Sequence, residues 1–460
     1  MKKLTIFILI IFSLKSYSQR NLKIELPESY ELGNILLALT EYGRKDPNNV
    51  QKIPPYYNEV INYFEPVKNH PLLDRINYAG EDWEKFLGFR TDIYAFSFDQ
   101  NGDLKRNYPF NSFGPEEVDK NLELINDFVK KSNYRKFYND HKKLYNQLIS
   151  DYKTYYYIDR SFSFLDQFSP NKDVKTNSNY VIAISPLVGS QNCHREIDSL
   201  TTVDFPNIGE DLILGKMDNN IPMRITDNHS IFTEMDHGYV NPISEKYSEL
   251  IGKNFDLKKW DKESGSAGIN SFNEYMTWAV YDIFIRDNFP KEKTDSISTM
   301  YTKQNATRGF VAQNLFSKKL VELHHKNKSK KLEDLYIPML NWCKKIESII
   351  SQPKLLNSDT KNYITLKNDI LDLHFSEPMK KSQTIDIVLI QFEKGNQTQN
   401  QQILKIKNPV WSQDGKNVSI KIESKFEEYA VGFYVWESIN GLYSINNILL
   451  NPQSYILVKK

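Results

Sequence analysis

The sequence predicts an α+β protein: an α-rich body carrying a small β-sheet, followed by a C-terminal β-sandwich. Three observations lead there. Apolar residues recur at three- and four-residue steps through most of the chain before about residue 370. One β-branched run, Tyr180-Val181-Ile182-Ala183-Ile184, interrupts that helical period and is closed by Pro186 and Gly189, as a strand would be. From about Phe375 the period changes to two, in short alternating runs separated by turn signals such as Asp414-Gly415.

Composition agrees with a globular chain. The 460 residues are 40% hydrophobic and 25% charged, too many for one ordinary domain and too apolar for a disordered polymer. Glycine (18) and proline (19) are scarce, while 28 tyrosines and 26 phenylalanines promise large aromatic cores. The formal charge is +1, so there is no excess of basic residues to hold a polyanion by counterion release, and nucleic acid is not an expected partner.

The elements follow in order. Lys2 and Lys3 precede an apolar run from Leu4 to Leu14, and Ser16-Tyr17-Ser18 supplies small residues before Gln19. This is the pattern of a signal peptide over residues 1–18, and it predicts an exported, periplasmic or extracellular protein. The run is about half of the roughly 20 residues needed to cross a bilayer, and no later stretch comes closer, so no transmembrane segment is expected. No cysteine follows the run to carry a lipid anchor.

Leu22 to Leu26 alternates like a short strand. Leu32, Ile35, Leu36 and Leu39 then define an amphipathic helix with Gly43 as its stop. A second helix carries Tyr57, Val60, Ile61 and Phe64, limited by Pro66 and Pro71. Leu122 to Tyr152 reads as a helical hairpin broken at Ser132-Asn133. Helical spacing returns near Ile231, over Tyr247 to Ile251, Phe272 to Ile285, Phe310 to Leu323 and Leu335 to Ile350. The strands of the sandwich are marked by Ile385/Ile387/Leu389, Ile403/Ile406, Val418/Ile420/Ile422, Val431/Phe433/Val435 and Tyr455/Leu457. The chain thus divides into a signal peptide (1–18), an α-rich domain (19–372) and a β-sandwich (373–460). Cys193 and Cys343 allow one long-range disulfide, and a zinc site of four thiolates is excluded by count.

Of the eight histidines, one combines with an acidic residue at a spacing known from metal sites, in Thr233-Glu234-Met235-Asp236-His237. In a zinc-dependent peptidase helix, two histidines at i and i+4 share a face and bind the ion, and the glutamate after the first acts as general base. Here the glutamate and the second histidine are present, but Thr233 stands at the first ligand position. A third ligand usually comes from a later helix, where Asn273-Glu274-Tyr275 makes Glu274 the best candidate. The run Tyr180 to Ile184 is a candidate edge for pairing with an extended substrate.

The order of these pieces resembles an uncharacterised family of secreted bacterial proteins similar to gluzincin metallopeptidases. The resemblance rests on Glu31 to Tyr42, Tyr57 to Pro71, Ser185-Pro186-Leu187-Val188-Gly189, Glu234 to Pro242 and Asn273-Glu274, and spans nearly the whole chain before the sandwich. It implies a zincin-like, metallopeptidase-like domain over 19–372 with zinc as cofactor and a peptide or protein as substrate. Glu234 would then be the general base, and His237 and Glu274 metal ligands. The chain departs from the family's His-Glu-x-x-His pattern at Thr233. Phe375-Ser376-Glu377-Pro378-Met379 in turn resembles the first strand of bacterial immunoglobulin-like (Ig-like) modules.

Bland readings stand beside these. A lone His237 is served by any nearby carboxylate, Ser271-x-x-Glu274 before an apolar run has the form of a capping box, and Asp236 reads as a solvated helix residue. Tyr239 and Asn241 would pack and cap a turn at Pro242, or else orient substrate. His324-His325, beside Lys326, Lys328, Lys330 and Lys331, reads as a solvated face. His229 lies eight residues before His237, about 12 Å along a helix, too far to replace Thr233. A threonine hydroxyl is not normally a zinc ligand. The expectation is therefore a metal-dependent peptidase with an incomplete motif, or one in which Glu234 and His237 both bind the ion as a Glu-x-x-His pair. The alternative is a catalytically inactive binding protein that recognises a peptide or surface glycan.

Overall fold

A computed structural model describes residues 21–460 apart from 47, 111–115, 171–178, 190–191, 217–219, 263, 359–360, 394–395, 437 and 439. The signal peptide expected over 1–18 lies outside these residues. About half of the chain is helical and a fifth is strand, with helices first and most strands last, an α+β fold. Among the described residues no helix is long and apolar enough to cross a membrane.

The chain forms two compact units, one from residues up to 154 together with 171–216, the other from 155–170 together with 217–460. The change of hydrophobic period at 372/373 falls inside the second unit.

In the first unit, β1 (Asn21–Glu25) is parallel to β2 (Asn179–Ala183), which is parallel to β4 (Thr201–Phe205), and β3 (Cys193–Asp198) closes the sheet antiparallel to β4. The order β1-β2-β4-β3 puts β2 inside the sheet with both edges paired. An extended substrate therefore has no free edge on Tyr180 to Ile184, contrary to expectation; the burial of both faces explains why the run is so uniformly apolar.

Helix α1 (Glu28–Leu39) is buried almost all round, taking Glu31 and Asn34 inside with Leu32, Ile35, Leu36 and Leu39. Its stop is Thr40 rather than Gly43: the Thr40 hydroxyl donates to the Leu37 carbonyl at 2.7 Å and accepts from the Gly43 N–H at 3.0 Å. Gly43 is required for another reason, since a Cβ there would lie 2.0 Å from the Leu37 carbonyl oxygen. Further along, α2 (Leu122–Ser132) ends where expected, at Asn133 in the left-handed conformation (φ 53°). α3 (Tyr134–Asp140) and α4 (Lys142–Tyr155) follow, separated by a second break at His141 that the periodicity does not show.

The second unit holds α5 (Ile158–Phe168), α6 (Ile221–Lys246), α7 (Ile269–Asn288), α8 (Lys291–Thr307), α9 (Gln313–Lys326) and α10 (Leu332–Ile346). α7 packs against both α6 and α9, and is buried at almost every position from Ser271 to Ile285. Aromatic rings cement it: Phe232 stacks on Phe284 at 4.7 Å, and Trp278 meets Phe310 edge-on at 4.6 Å. α6 runs straight through Pro242, where a turn was expected. The proline removes one backbone bond, to the Gly238 carbonyl, yet the buried side chains on either side, Tyr239, Val240, Ile243 and Ser244, keep the helix going.

The strands that end this unit are β5 (Tyr363–Ile364), β6 (Ile370–His374), β7 (Thr384–Glu393), β8 (Asn396–Lys407), β9 (Val410–Trp411), β10 (Asn417–Lys421), β11 (Glu428–Gly432) and β12 (Tyr455–Lys459). They make a five-stranded sheet, β8-β7-β11-β12-β5, and a three-stranded sheet, β9-β10-β6. Leu371, Leu373, Ile385, Ile387, Leu389, Val418, Ile420 and Val431 interleave in one core, so the two sheets form a β-sandwich. It is tied to the helices: buried Lys303 of α8 donates to the Val435 and Ser438 carbonyls, each at 2.6 Å, and Asn314 of α9 donates to the Asn447 carbonyl at 2.6 Å. Burial lowers the Lys303 ammonium to about 8.

Candidate metal centre

Helices α6 and α7 lie side by side and bring one acidic and one imidazole group together. His237 Nε2 stands 3.6 Å from Glu274 Oε1, both side chains being largely buried. His237 Nδ1 faces Asn241 Oδ1 at 3.3 Å, one helical turn on along α6. In the tautomer with the proton on Nδ1, Asn241 Oδ1 accepts it and Nε2 turns its lone pair toward Glu274, the arrangement a ligating histidine uses. Two atoms bound to one zinc ion at about 2.0–2.1 Å and a tetrahedral angle are about 3.4 Å apart. The observed spacing of 3.6 Å is close to that value.

Glu274 is not a capping residue. α7 begins at Ile269 after Gly268, so Ser271 is inside the helix, and its hydroxyl donates to Asp261 Oδ2 at 2.6 Å. The carboxylate of Glu274 is thereby free of its own helix end.

Asp236, expected in solvent, is fully buried, and neither carboxyl oxygen has a hydrogen-bond partner among the described residues. Burial pushes its carboxyl well above the usual range, and the charges of Glu274 and Glu234 push it further. Glu234 and Glu274 are thus both near enough to Asp236 for their charges to act on its carboxyl, and Glu274 is also the carboxylate beside His237.

Thr233 does not substitute for the missing histidine. Its hydroxyl bonds back to the His229 carbonyl at 3.0 Å and the Ser230 carbonyl at 3.3 Å, the usual way a threonine satisfies itself inside a helix. His229 stacks face to face on Tyr301 at 3.7 Å, and burial lowers its imidazole to about 3, with the Arg308 charge adding to the effect. It is a neutral core residue. Tyr239, rather than capping a turn, donates from its hydroxyl to Asp166 Oδ1 of α5 at 2.5 Å. Cys193 and Cys343 are both buried free thiols, so the disulfide allowed by count is not formed.

The structure brings His237 and Glu274 of the expected set together, and it gives Asn241 and Asp236 other surroundings than a turn cap and solvent. Asn241 was legible in the i, i+4 spacing from His237. The burial of Asp236 was not, because a single helix carries no mark of which face a second helix covers.

No family model and no curated protein matches the chain. Among solved structures it is similar to the surface layer protein SbsC, domains 1–6, with 15% identity over 50% of this chain and 33% of that one, at a TM-score of 0.18. It is likewise similar to the S-layer protein rSbsC(31–844), with 12% identity over 55% and 39%, at a TM-score of 0.18. The chain spans well under half the length of these two proteins. At such scores the likeness establishes neither the fold nor the function.

Proposed function

We propose that this is an exported, zincin-like protein that binds zinc between α6 and α7 and uses it to hydrolyse a peptide bond. The observation that carries the reading is the pair His237 Nε2 and Glu274 Oε1, 3.6 Å apart on different helices, with Asn241 behind the imidazole. When bound, zinc would supply Lewis-acid polarisation of the scissile carbonyl. The chain's own residues divide the remaining work. His237 and Glu274 hold the ion, Asn241 orients the imidazole, and Glu234 on the same turn of α6 takes the proton from the attacking water. Burial of Asp236, beside the charges of Glu234 and Glu274, disfavours its charged form. The N-terminal export pattern supports a role outside the cytoplasm.

A second reading is favoured by one observation, the Thr233 hydroxyl turned back onto its own helix. In that reading hydrolysis has lapsed and the site binds a peptide or surface glycan.

Zinc titration and peptidase assay of the wild type, His237→Ala, Glu234→Ala and Thr233→His separate the two. The peptidase reading expects saturable zinc binding and slow hydrolysis in the wild type, with zinc affinity reduced more than about 10-fold in His237→Ala. Glu234→Ala should abolish hydrolysis. If it retains zinc, Glu234 is the base; if it loses zinc as well, Glu234 is a ligand. Zinc binding without hydrolysis in the wild type, with hydrolysis gained in Thr233→His, would establish the second reading. Identical zinc binding by the wild type and His237→Ala would sink both.

A further inference from the structure

Thirteen residues beyond Glu274, roughly 20 Å along the helix at about 1.5 Å per residue, α7 presents Asp287 to the last turn of α9. Two consecutive histidines turn the same ring nitrogen toward that one carboxylate. His324 Nε2 is 2.8 Å from Asp287 Oδ2, and His325 Nε2 is 3.1 Å from Asp287 Oδ1. Asp287, His324 and His325 are the set among the described residues in which three metal-ligating side chains have donor atoms all within 4.8 Å of one another.

We propose that Asp287, His324 and His325 form a second metal site, for a divalent transition ion of the zinc, nickel, copper or cobalt class.

The donor chemistry fits that class: two imidazoles and one carboxylate suit borderline ions, and three protein ligands leave positions open for water or a further ligand. Two donors about 2.1 Å from an ion are about 3.0 Å apart at the right angle of tetragonal sites and about 3.4 Å at a tetrahedral angle, so the contacts of 2.8 and 3.1 Å suit copper or nickel as they stand and open by a few tenths of an ångström for zinc or cobalt. His324 is fixed in place, buried edge-on against Phe168 at 5.0 Å. Burial lowers its imidazole below the ordinary value, against the opposing pull of Asp287. The ordinary explanation of the cluster is charge compensation, because an aspartate in the last turn of a helix faces the negative end of the dipole. Lys328, 2.7 Å from Asp287 Oδ1, already provides that compensation on a mostly exposed side chain. The two histidines are thus not needed for it, and Lys328 is free to swing away when an ion arrives. His324 Nδ1 has no acceptor among the described residues, so the ion is held less tightly than in a site whose outer hydrogen bonds are complete.

The test uses the full chain carrying His237→Ala and Glu274→Ala, which removes the first site. Cobalt(II) titration followed by visible absorption, with zinc measured by chelator competition, should show one saturable equivalent. Adding His325→Ala or Asp287→Asn should weaken it at least about 10-fold, and adding Lys328→Ala should tighten it. His325 is partly exposed, so its removal leaves the core intact, which circular dichroism verifies. If the double variant fails to fold, the wild type serves instead, and His325→Ala should then remove one of two equivalents. No saturable binding in the folded background, or binding unchanged by both His325→Ala and Asp287→Asn, would overturn the proposal whatever is found at His237.

Discussion

Asn241 and Asp236 show what single side chains do at the α6–α7 site. Asn241 touches no second helix through any hydrogen bond described above; its amide oxygen serves His237 Nδ1. Replacing it with alanine should therefore act on metal affinity rather than on stability. We expect zinc affinity to fall about 10- to 100-fold in Asn241→Ala, with the thermal midpoint nearly unchanged, and to recover in Asn241→Asp, whose carboxylate accepts the same proton. Chelator competition beside a melting curve checks both halves. The approach of His237 to Glu274 was legible because metal chemistry demands particular residue types at fixed helical offsets. Asp236 was not, since its neighbours come from elements that no local pattern connects to it.

Glycine and proline explain where the helices depart from their sequence patterns. Gly43 had been read as a stop signal, but Thr40 provides the stop, and Gly43 is there because the Leu37 carbonyl approaches its α-carbon. Gly238 is the opposite case: it is exposed in the middle of α6, and an added Cβ would meet nothing within 4 Å. Gly43→Ala should thus destabilise the protein by roughly 1–3 kcal/mol through forced backbone movement. Gly238→Ala should stabilise it by roughly 0.5–1 kcal/mol through helix propensity. Urea unfolding of the two variants beside the wild type checks the opposite signs. Helix existence was legible wherever the 3.6 period ran long. The continuation through Pro242 was not, because burial on either side outweighed a local penalty the sequence shows plainly.

At the scale of the molecule, the division into units is the feature the sequence concealed. A change of hydrophobic period marked 372/373 as a boundary, yet Lys303 and Asn314 bond to the sandwich across more than 130 residues of chain, and no periodicity records that. The first unit also has a buried acid at its heart. Glu31 Oε1 accepts from the Tyr56 hydroxyl at 2.5 Å, which lies 2.7 Å from the Tyr145 hydroxyl, and burial pushes the Glu31 carboxyl up to about 7. A carboxyl raised on folding contributes stability that is complete below its unfolded value near 4.5 and is lost as pH rises to about 7. The wild type should accordingly lose stability relative to Glu31→Gln between about pH 4.5 and 7, by a few kcal/mol at ~1.4 kcal/mol per pH unit, and track it above. Urea unfolding of both across that range checks it; a constant difference would refute the assignment of the acid.

The pairing of β1 with β2 joins Asn21 to Asn179, 158 positions apart. Loop closure of that length must precede the reward of the sheet, so this pairing belongs to the slow part of folding. A nascent chain whose C-terminus has not yet passed β2 keeps its first strand unmatched, and any fragment cut short of that point would carry an open edge prone to aggregation.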